Sequence, residues 1–170
     1  MIAVADALVT ARRIAESVPD PELPMVTIAD LGILRGVHES DGRVVVSLTP
    51  TYSGCPALRE MQQEVLRRLA AAGIPGVEVR TALSPAWSTD WITADGRRKL
   101  AAAGIAPPHT APGATTGPVP LSLTGTRRAV ACPHCSSTDT VQTAAFSGTA
   151  CRALYRCAAC AEPFEYVKEI

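Results

Sequence analysis

The sequence predicts an α/β (α+β) protein in two parts: a small two-layer α-β-β-α-β-α domain at residues 1–103 and a small four-cysteine module at residues 127–170. Helix-period apolar stripes alternate with strand-like runs over the first hundred residues. Two Cys-x-x-Cys pairs lie near the C-terminus. Between the two parts, residues 104–126 contain no charged side chain and are rich in proline and glycine, which is typical of a linker.

The first domain opens with a helix and a hairpin. Residues 3–17 place Val4, Leu8 and Ile14 on one stripe at helical spacing. The prolines of VPDPELP exclude regular structure from the segment that follows. Residues 33–39 and 43–49 then predict two strands, because the ESDG tetrad between them is typical of a tight turn.

A second helix follows the loop TPTYSGC. Pro56 suits the first turn of a helix, and Gly73 ends it. The apolar stripe of this helix is expected to consist of Leu58, Met61, Val65, Leu66 and Leu69. Residues 77–83 predict a third strand, and the segment after it predicts a loop followed by a short helix that starts near Thr93.

The C-terminal module carries a metal-site pattern. Cys132-Pro-His-Cys135 and Cys157-Ala-Ala-Cys160 are separated by 21 residues. A tetrahedral ion needs four thiolates, and two tight turns can each present a pair. Strands at 140–148, 150–157 and 162–170 would complete a zinc ribbon with Zn²⁺ at the four cysteines. The alternative to a metal site is two unrelated thioredoxin-like cysteine pairs. If a metal binds, zinc is favoured over iron because nothing else in the sequence suggests electron transfer.

This module is too small to bury a self-sufficient core, so the metal is expected to supply its folding energy. Four thiolates leave no open position for water, so the site is expected to be structural or to support an interaction surface. His134 is expected to be an exposed turn residue, and Cys151 a small core residue rather than a ligand.

Composition excludes several classes of function. Acidic and basic residues balance at 16 each, and aromatic residues make up 4% of the chain, so nucleic-acid binding is not expected. The N-terminus lacks the charge order of a signal peptide, and no apolar run is long enough for a membrane span. We therefore expect a cytoplasmic protein whose thiols stay reduced and bind metals or react.

Two loops of the first domain carry unusual residues. Asp20 and Glu22 hold two carboxylates apart across Pro21, although a capped turn would explain the same pattern. Cys55 is expected at the N-cap of the second helix, where unpaired backbone N–H groups and the helix dipole stabilise a thiolate. The alternative is an inert cysteine beside the core.

Two segments, DPELPMVTIADLGILRGV and VVVSLTPTYSGCPALREMQQEV, resemble the small domain of iron–sulfur cluster assembly and carrier-associated proteins. The resemblance spans about residues 6–83. In that family an acidic DPE-type loop and a threonine-rich loop ending in Cys-Pro are the hallmarks. The matching positions in this chain are Asp20, Pro21, Glu22, Asp30, Gly32, Thr49, Pro50, Thr51 and Cys55.

The remaining sequence, including PAWSTDWITADGRRKLAAAGIAPP and the cysteine module, resembles the D subunits of bacterial ring-1,2-phenylacetyl-CoA epoxidase systems. This resemblance implies an accessory or maturation component of aerobic phenylacetate breakdown, with no enzymatic activity expected of the chain alone. Its implied partners are the di-iron oxygenase and iron–sulfur flavin reductase subunits. The sequence agrees with the expectation of no activity for the chain alone, because it has neither an ExxH pair for a di-iron site nor a GxGxxG phosphate loop.

Under this hypothesis Cys55 binds or passes iron or an iron–sulfur cluster, assisted by Asp20, Glu22 and Thr51. One thiolate is too few for a cluster that takes four cysteines, so a homodimer or a transient complex is expected. The alternative is a non-catalytic scaffold that docks epoxidase components through the ribbon and through Trp87 and Trp91.

Overall fold

The computed structural model describes residues 4–109 and 129–169, which divide into two compact units between Lys99 and Leu100. The predicted mixed α/β class, with two sheets and a C-terminal cysteine cluster, is confirmed. Among the described residues, no helix is long and apolar enough to cross a membrane.

The first unit has the predicted order of helices and strands. Its elements are α1 (Val4–Glu16), β1 (Leu34–Ser40), β2 (Arg43–Leu48), α2 (Ala57–Ala71) and β3 (Glu78–Thr81), followed by a 3-10 turn (Thr89–Trp91). The next helix, α3 (Ala94–Ala102), begins in this unit and crosses the boundary after Lys99. The sheet order is β1-β2-β3, and β1 and β2 form the expected antiparallel hairpin. Strand β3 runs parallel to β2, which the crossover through α2 allows.

Helices α1 and α2 pack against the sheet and bury its apolar side chains. On α2 the buried residues are Ala57, Met61, Val65 and Leu69. The prediction for Leu66 was wrong, because its side chain is 40% exposed. Successive helical residues are about 100° apart, so a residue next to Val65 leaves the stripe that Met61, Val65 and Leu69 define.

The two tryptophans pack within the first unit. Trp87 is 5% exposed, and its Nε1–H donates to the Leu31 carbonyl oxygen at 2.9 Å. Trp91 is half-buried, and the Arg35 guanidinium lies over its ring at 3.6 Å. Trp87 is therefore a core residue, and it does not contribute to the docking surface that the scaffold alternative assigned to it.

The second unit is a four-stranded sheet in the order β4-β7-β6-β5. Strands β5 (Thr140–Ala144), β6 (Arg152–Cys157) and β7 (Pro163–Val167) occupy the three predicted ribbon segments. Strand β4 (Ile105–Ala106) pairs in parallel with β7, so the first residues of the expected linker belong to this sheet. The remainder of that segment, residues 110–126, lies outside the described residues.

The core of the second unit is small and is built around cysteine and aromatic side chains. Its buried members are Ala106, Val130, Cys132, Cys157, Phe164 and Tyr166. The Tyr155 ring stacks on Phe164 at 5.8 Å between centroids and meets Tyr166 edge-on at 5.5 Å. Two of the predicted metal ligands thus lie inside the apolar core.

Candidate functional site

The four cysteines of the two Cys-x-x-Cys motifs come together in the second unit. The sulfur atoms of Cys132, Cys135, Cys157 and Cys160 all lie within 4.8 Å of one another. Cys132 Sγ is 3.7 Å from Cys160 Sγ, and Cys135 Sγ is 3.5 Å from Cys157 Sγ. Tetrahedral zinc with bonds of about 2.3 Å places its sulfur ligands about 3.8 Å apart. The cluster therefore has the dimensions of a four-thiolate metal site.

The two motifs fold alike. The Cys132 N–H donates to the Ser137 carbonyl oxygen at 2.9 Å, and the Cys157 N–H donates to the Glu162 carbonyl oxygen at 3.0 Å. Each bond closes a turn over the same number of residues. The residue after the second cysteine is left-handed in both turns, with φ of 63° at Ser136 and 64° at Ala161.

The thiols differ in how readily they ionise. The Cys160 backbone N–H lowers the pKa of Cys157 to about 7, although desolvation opposes this. The Glu162 backbone N–H favours the Cys160 thiolate, but desolvation and the neighbouring thiols outweigh it and raise that pKa to about 12. Four adjacent thiolates repel one another, so all four can ionise together only if a cation compensates their charge. Sulfur is a soft donor, which suits a soft metal cation.

Two nearby residues lie outside this cluster. The His134 ring is exposed, as expected, and lies 3.1 Å from where a Cβ on Gly104 would be. Cys151 is half-buried just before β6, with its Sγ 3.2 Å from Thr149 Oγ1. In the described part of the chain, the candidate metal-ligand group consists of the four motif cysteines.

The acidic loop of the first unit connects α1 to β1. Asp20 is 6% exposed, and its Oδ1 accepts the backbone N–H groups of Glu22 at 2.9 Å and Leu23 at 2.8 Å. The Asp20 N–H in turn donates to the Val26 carbonyl oxygen at 2.9 Å. This is the capped turn that the Asp-Pro pair allows, so Asp20 organises the loop, while Glu22 is half-buried on it.

The second half of the loop is held by Asp30. Its Oδ2 accepts from the Thr27 N–H at 2.9 Å, and the Asp30 N–H donates to Thr27 Oγ1 at 3.1 Å. Lys99 Nζ lies 2.8 Å from the same Oδ2. Burial raises the pKa of Asp30, but the hydrogen bonds from Lys99 and Thr27 outweigh this and lower it. Sequence reasoning missed Lys99, because 69 residues separate it from Asp30.

Cys55 ends the loop between β2 and α2. Its N–H donates to the Tyr52 carbonyl oxygen at 3.1 Å, and its carbonyl oxygen accepts the Leu58 N–H at 3.4 Å. The N-cap of α2 is Pro56, which already has helical angles (φ −68°, ψ −29°). The predicted N-cap, Cys55, therefore lies one residue before the observed one. Among the described residues, no side chain makes a capping hydrogen bond at the N-terminus of α2. Cys55 itself is half-buried.

The acidic loop and α2 line a common cavity of about 300 Å³. Its walls are formed by Pro19, Pro21, Glu60, Met61, Gln63, Glu64 and Arg67. The loop that carries Asp20 and Glu22 therefore lies beside the middle turns of α2, from Glu60 to Arg67. Thr51, the remaining candidate, is half-buried in the β2–α2 loop.

Comparison with known proteins agrees with this two-part architecture. The family described as "Iron-sulfur cluster assembly protein" matches residues 12–84, and the family described as "PaaD zinc beta ribbon domain" matches residues 116–168. A crystal structure of a domain of unknown function, DUF59, from Bacillus anthracis is 25% identical, with a TM-score of 0.51, and covers 56% of this chain and 92% of that chain.

Two curated proteins are also similar. An Escherichia coli (strain K12) protein named as the D subunit of 1,2-phenylacetyl-CoA epoxidase is 42% identical over 151 residues, which is 89% of this chain and 86% of that protein. An Fe-S protein maturation auxiliary factor of Porphyromonas gingivalis (strain ATCC BAA-308 / W83) is 31% identical over 90 residues, which is 52% of this chain and 85% of that protein.

Fold and site together define a class of protein in which an iron–sulfur assembly-type domain is joined to a four-cysteine, metal-binding zinc ribbon. Within that class, the similarity over nearly the whole chain is decisive. The chain belongs to the family formed by the D subunits of 1,2-phenylacetyl-CoA epoxidases.

Proposed function

We propose that this protein is an accessory maturation component of a phenylacetyl-CoA epoxidase system, and that it delivers iron or an iron–sulfur cluster to a partner subunit. The observation that carries the proposal is the position of Cys55: a half-buried cysteine at the start of α2, within the segment that matches iron–sulfur cluster assembly proteins. The name of the P. gingivalis relative, a maturation auxiliary factor, supports the same role.

Cys55 acts with a second molecule. Four of the six cysteines belong to the ribbon cluster, and Cys151 lies beside Thr149 in that same unit. A cluster that takes four thiolates cannot be completed by Cys55 alone. We propose that a second copy of the chain, a small thiol or the client protein supplies the rest, and the client would be the di-iron oxygenase or the iron–sulfur flavin reductase.

The carboxylates have different roles in this proposal. Asp20 supports the acidic loop, because its Oδ1 already accepts two backbone N–H groups. Glu22 and Thr51, both half-buried, are the candidates to assist iron at the Cys55 loop. The ribbon holds Zn²⁺ through its four cysteines as a structural ion, since four thiolates leave no position for a reacting water.

The first prediction concerns the Cys55→Ala variant. Full-length protein with its ribbon already loaded with zinc would be incubated anaerobically with ferrous iron and sulfide. We expect wild type to gain iron and visible absorption, and Cys55→Ala to lose most of both, because thiolate is the preferred ligand of such iron. Cys151→Ser is the matched control and should behave as wild type. Equal spectra for wild type and Cys55→Ala would reject the proposal.

A scaffold function is the second candidate. It is favoured by exposed apolar side chains on the ribbon, where Val141 is 61% exposed and Phe146 is 63% exposed. Co-purification with the other epoxidase subunits separates the two functions. A stable stoichiometric complex that persists in Cys55→Ala favours the scaffold, whereas a substoichiometric contact that depends on Cys55 favours maturation.

A further inference from the structure

Thr49 carries a buried hydroxyl whose function the fold does not explain. The residue is 2% exposed, and it lies where β2 ends and the loop to Cys55 begins. Its backbone N–H donates to the Ile33 carbonyl oxygen at 2.8 Å. Its side-chain oxygen, however, has no hydrogen-bond partner among the residues that the structure describes. Buried hydroxyl groups in native proteins are nearly always paired, so an exception calls for an explanation.

The other buried polar groups of the same loops are paired. Asp20 accepts two backbone N–H groups, and Asp30 accepts from Thr27 and Lys99. Valine has the shape of threonine without the hydroxyl, and β2 already buries three consecutive valines at positions 44–46. Threonine at position 49 therefore makes the free chain less stable than valine would.

We propose that Thr49 is a positioning residue of the Cys55 loop, and that its hydroxyl donates a hydrogen bond to the anionic sulfur of the bound cargo, a sulfide or an iron-bound thiolate. This inference rests on the function proposed above and adds a residue to it. A hydroxyl can donate one hydrogen bond, and a charged acceptor strengthens that bond in buried surroundings. Cargo binding would thus compensate a cost that the free chain carries.

The test compares Thr49→Val and Thr49→Ser in the zinc-loaded full chain. Both tryptophans, Trp87 and Trp91, lie in the first unit, so their fluorescence reports the unfolding of that unit. We expect Thr49→Val to raise its Tm by roughly 5 °C, since the unpaired hydroxyl is removed. The same variant should hold added iron and sulfide about tenfold more weakly, because a hydrogen bond to a charged group is lost. Thr49→Ser keeps the hydroxyl and should hold iron and sulfide as wild type does, although loss of the buried methyl group should lower its Tm.

Thr27→Val is the matched control, because the Thr27 hydroxyl is paired with the Asp30 N–H. The same chemical change should lower Tm at position 27 and raise it at position 49. A fall in Tm for Thr49→Val would overturn the inference, since it would show that the hydroxyl is already paired in the free chain. So would unchanged iron retention in Thr49→Val while Cys55→Ala loses its iron. Retention that is unaffected by Cys55→Ala would instead reject the proposed function itself.

Discussion

Ser136 and Ala161 occupy left-handed backbone positions where glycine is the usual residue. Both follow the second cysteine of a metal-binding turn, with φ of 63° and 64°. A side chain in this conformation costs about 1–2 kcal/mol, because Cβ approaches the neighbouring carbonyl oxygen. The turn needs the conformation, since it aims backbone N–H groups at the sulfur atoms, as the bond from the Glu162 N–H to Cys160 shows. Each turn of the ribbon therefore contains local strain that metal binding must overcome.

Relief of this strain gives a prediction for Ala161→Gly. We expect the variant to bind zinc about fivefold more tightly in competition with a chelator, because folding and metal binding are coupled and roughly 1 kcal/mol is recovered. Ala159→Gly is the matched control, since position 159 is not among the left-handed residues of the described chain. Glycine there adds only unfolded-state entropy and should weaken binding. A weaker affinity for Ala161→Gly would contradict the role of strain.

Among the secondary-structure elements, the segment from Trp87 to Lys99 fastens the second half of the acidic loop. Trp87 donates to the Leu31 carbonyl oxygen, and the Thr93 N–H donates to the Asp30 carbonyl oxygen at 2.9 Å. Gly96 is needed at this contact, because a Cβ there would lie 2.8 Å from the same oxygen. These contacts join residues about 60 positions apart and lie beyond residue 84, where the match to the assembly family ends.

The Asp30–Lys99 ion pair predicts an acid dependence of stability. The folded pKa of Asp30 is lower than its ordinary value of 3.8. The pair therefore contributes fully above that value, and its contribution is lost as pH falls through the folded pKa. We expect Lys99→Met to lower the free energy of unfolding modestly at pH 7, because Lys99 is partly exposed to screening solvent.

Denaturant unfolding followed by tryptophan fluorescence between pH 7 and pH 3 checks this prediction. The difference between wild type and Lys99→Met should shrink as the pH falls towards 3. Arg98→Met is the control on the same helix, because its pair with Asp95 is more exposed to solvent and should contribute less to stability. A pH-independent difference between wild type and Lys99→Met would show that packing, rather than charge, holds the helix.

Local patterns in the sequence predicted the elements well and the long-range contacts poorly. The β1–β2 hairpin, helix α2 and the ribbon strands follow from turn residues, periodicity and cysteine spacing. Strand β4 was missed, because two apolar residues after a glycine show no strand period. The Asp30–Lys99 pair was missed, and the burial of Trp87 was left open, for a different reason. They depend on how distant segments pack, which no local pattern specifies.

At the scale of the whole molecule, the two units differ in what stabilises them. The first unit buries a continuous set of aliphatic side chains between its helices and its sheet. Among the described residues of the second unit, the apolar cluster around the cysteines is small, and it includes the candidate metal ligands Cys132 and Cys157. A cluster of this size does little to offset the entropy of ordering the unit, so we expect a bound metal to supply much of its folding energy.

Metal removal should therefore affect the two units differently. We expect a strong chelator to abolish the dispersed amide NMR signals of β5, β6 and β7 while the tryptophan emission and its unfolding midpoint stay within error of wild type. The reason is that both tryptophans report the first unit, whose core contains none of the four clustered cysteines. Cys157→Ser should reproduce the effect of the chelator, because it removes a buried ligand, whereas Cys151→Ser should leave zinc content at wild-type level. Loss of the tryptophan transition on chelation would show instead that the first unit depends on the ribbon for its own stability.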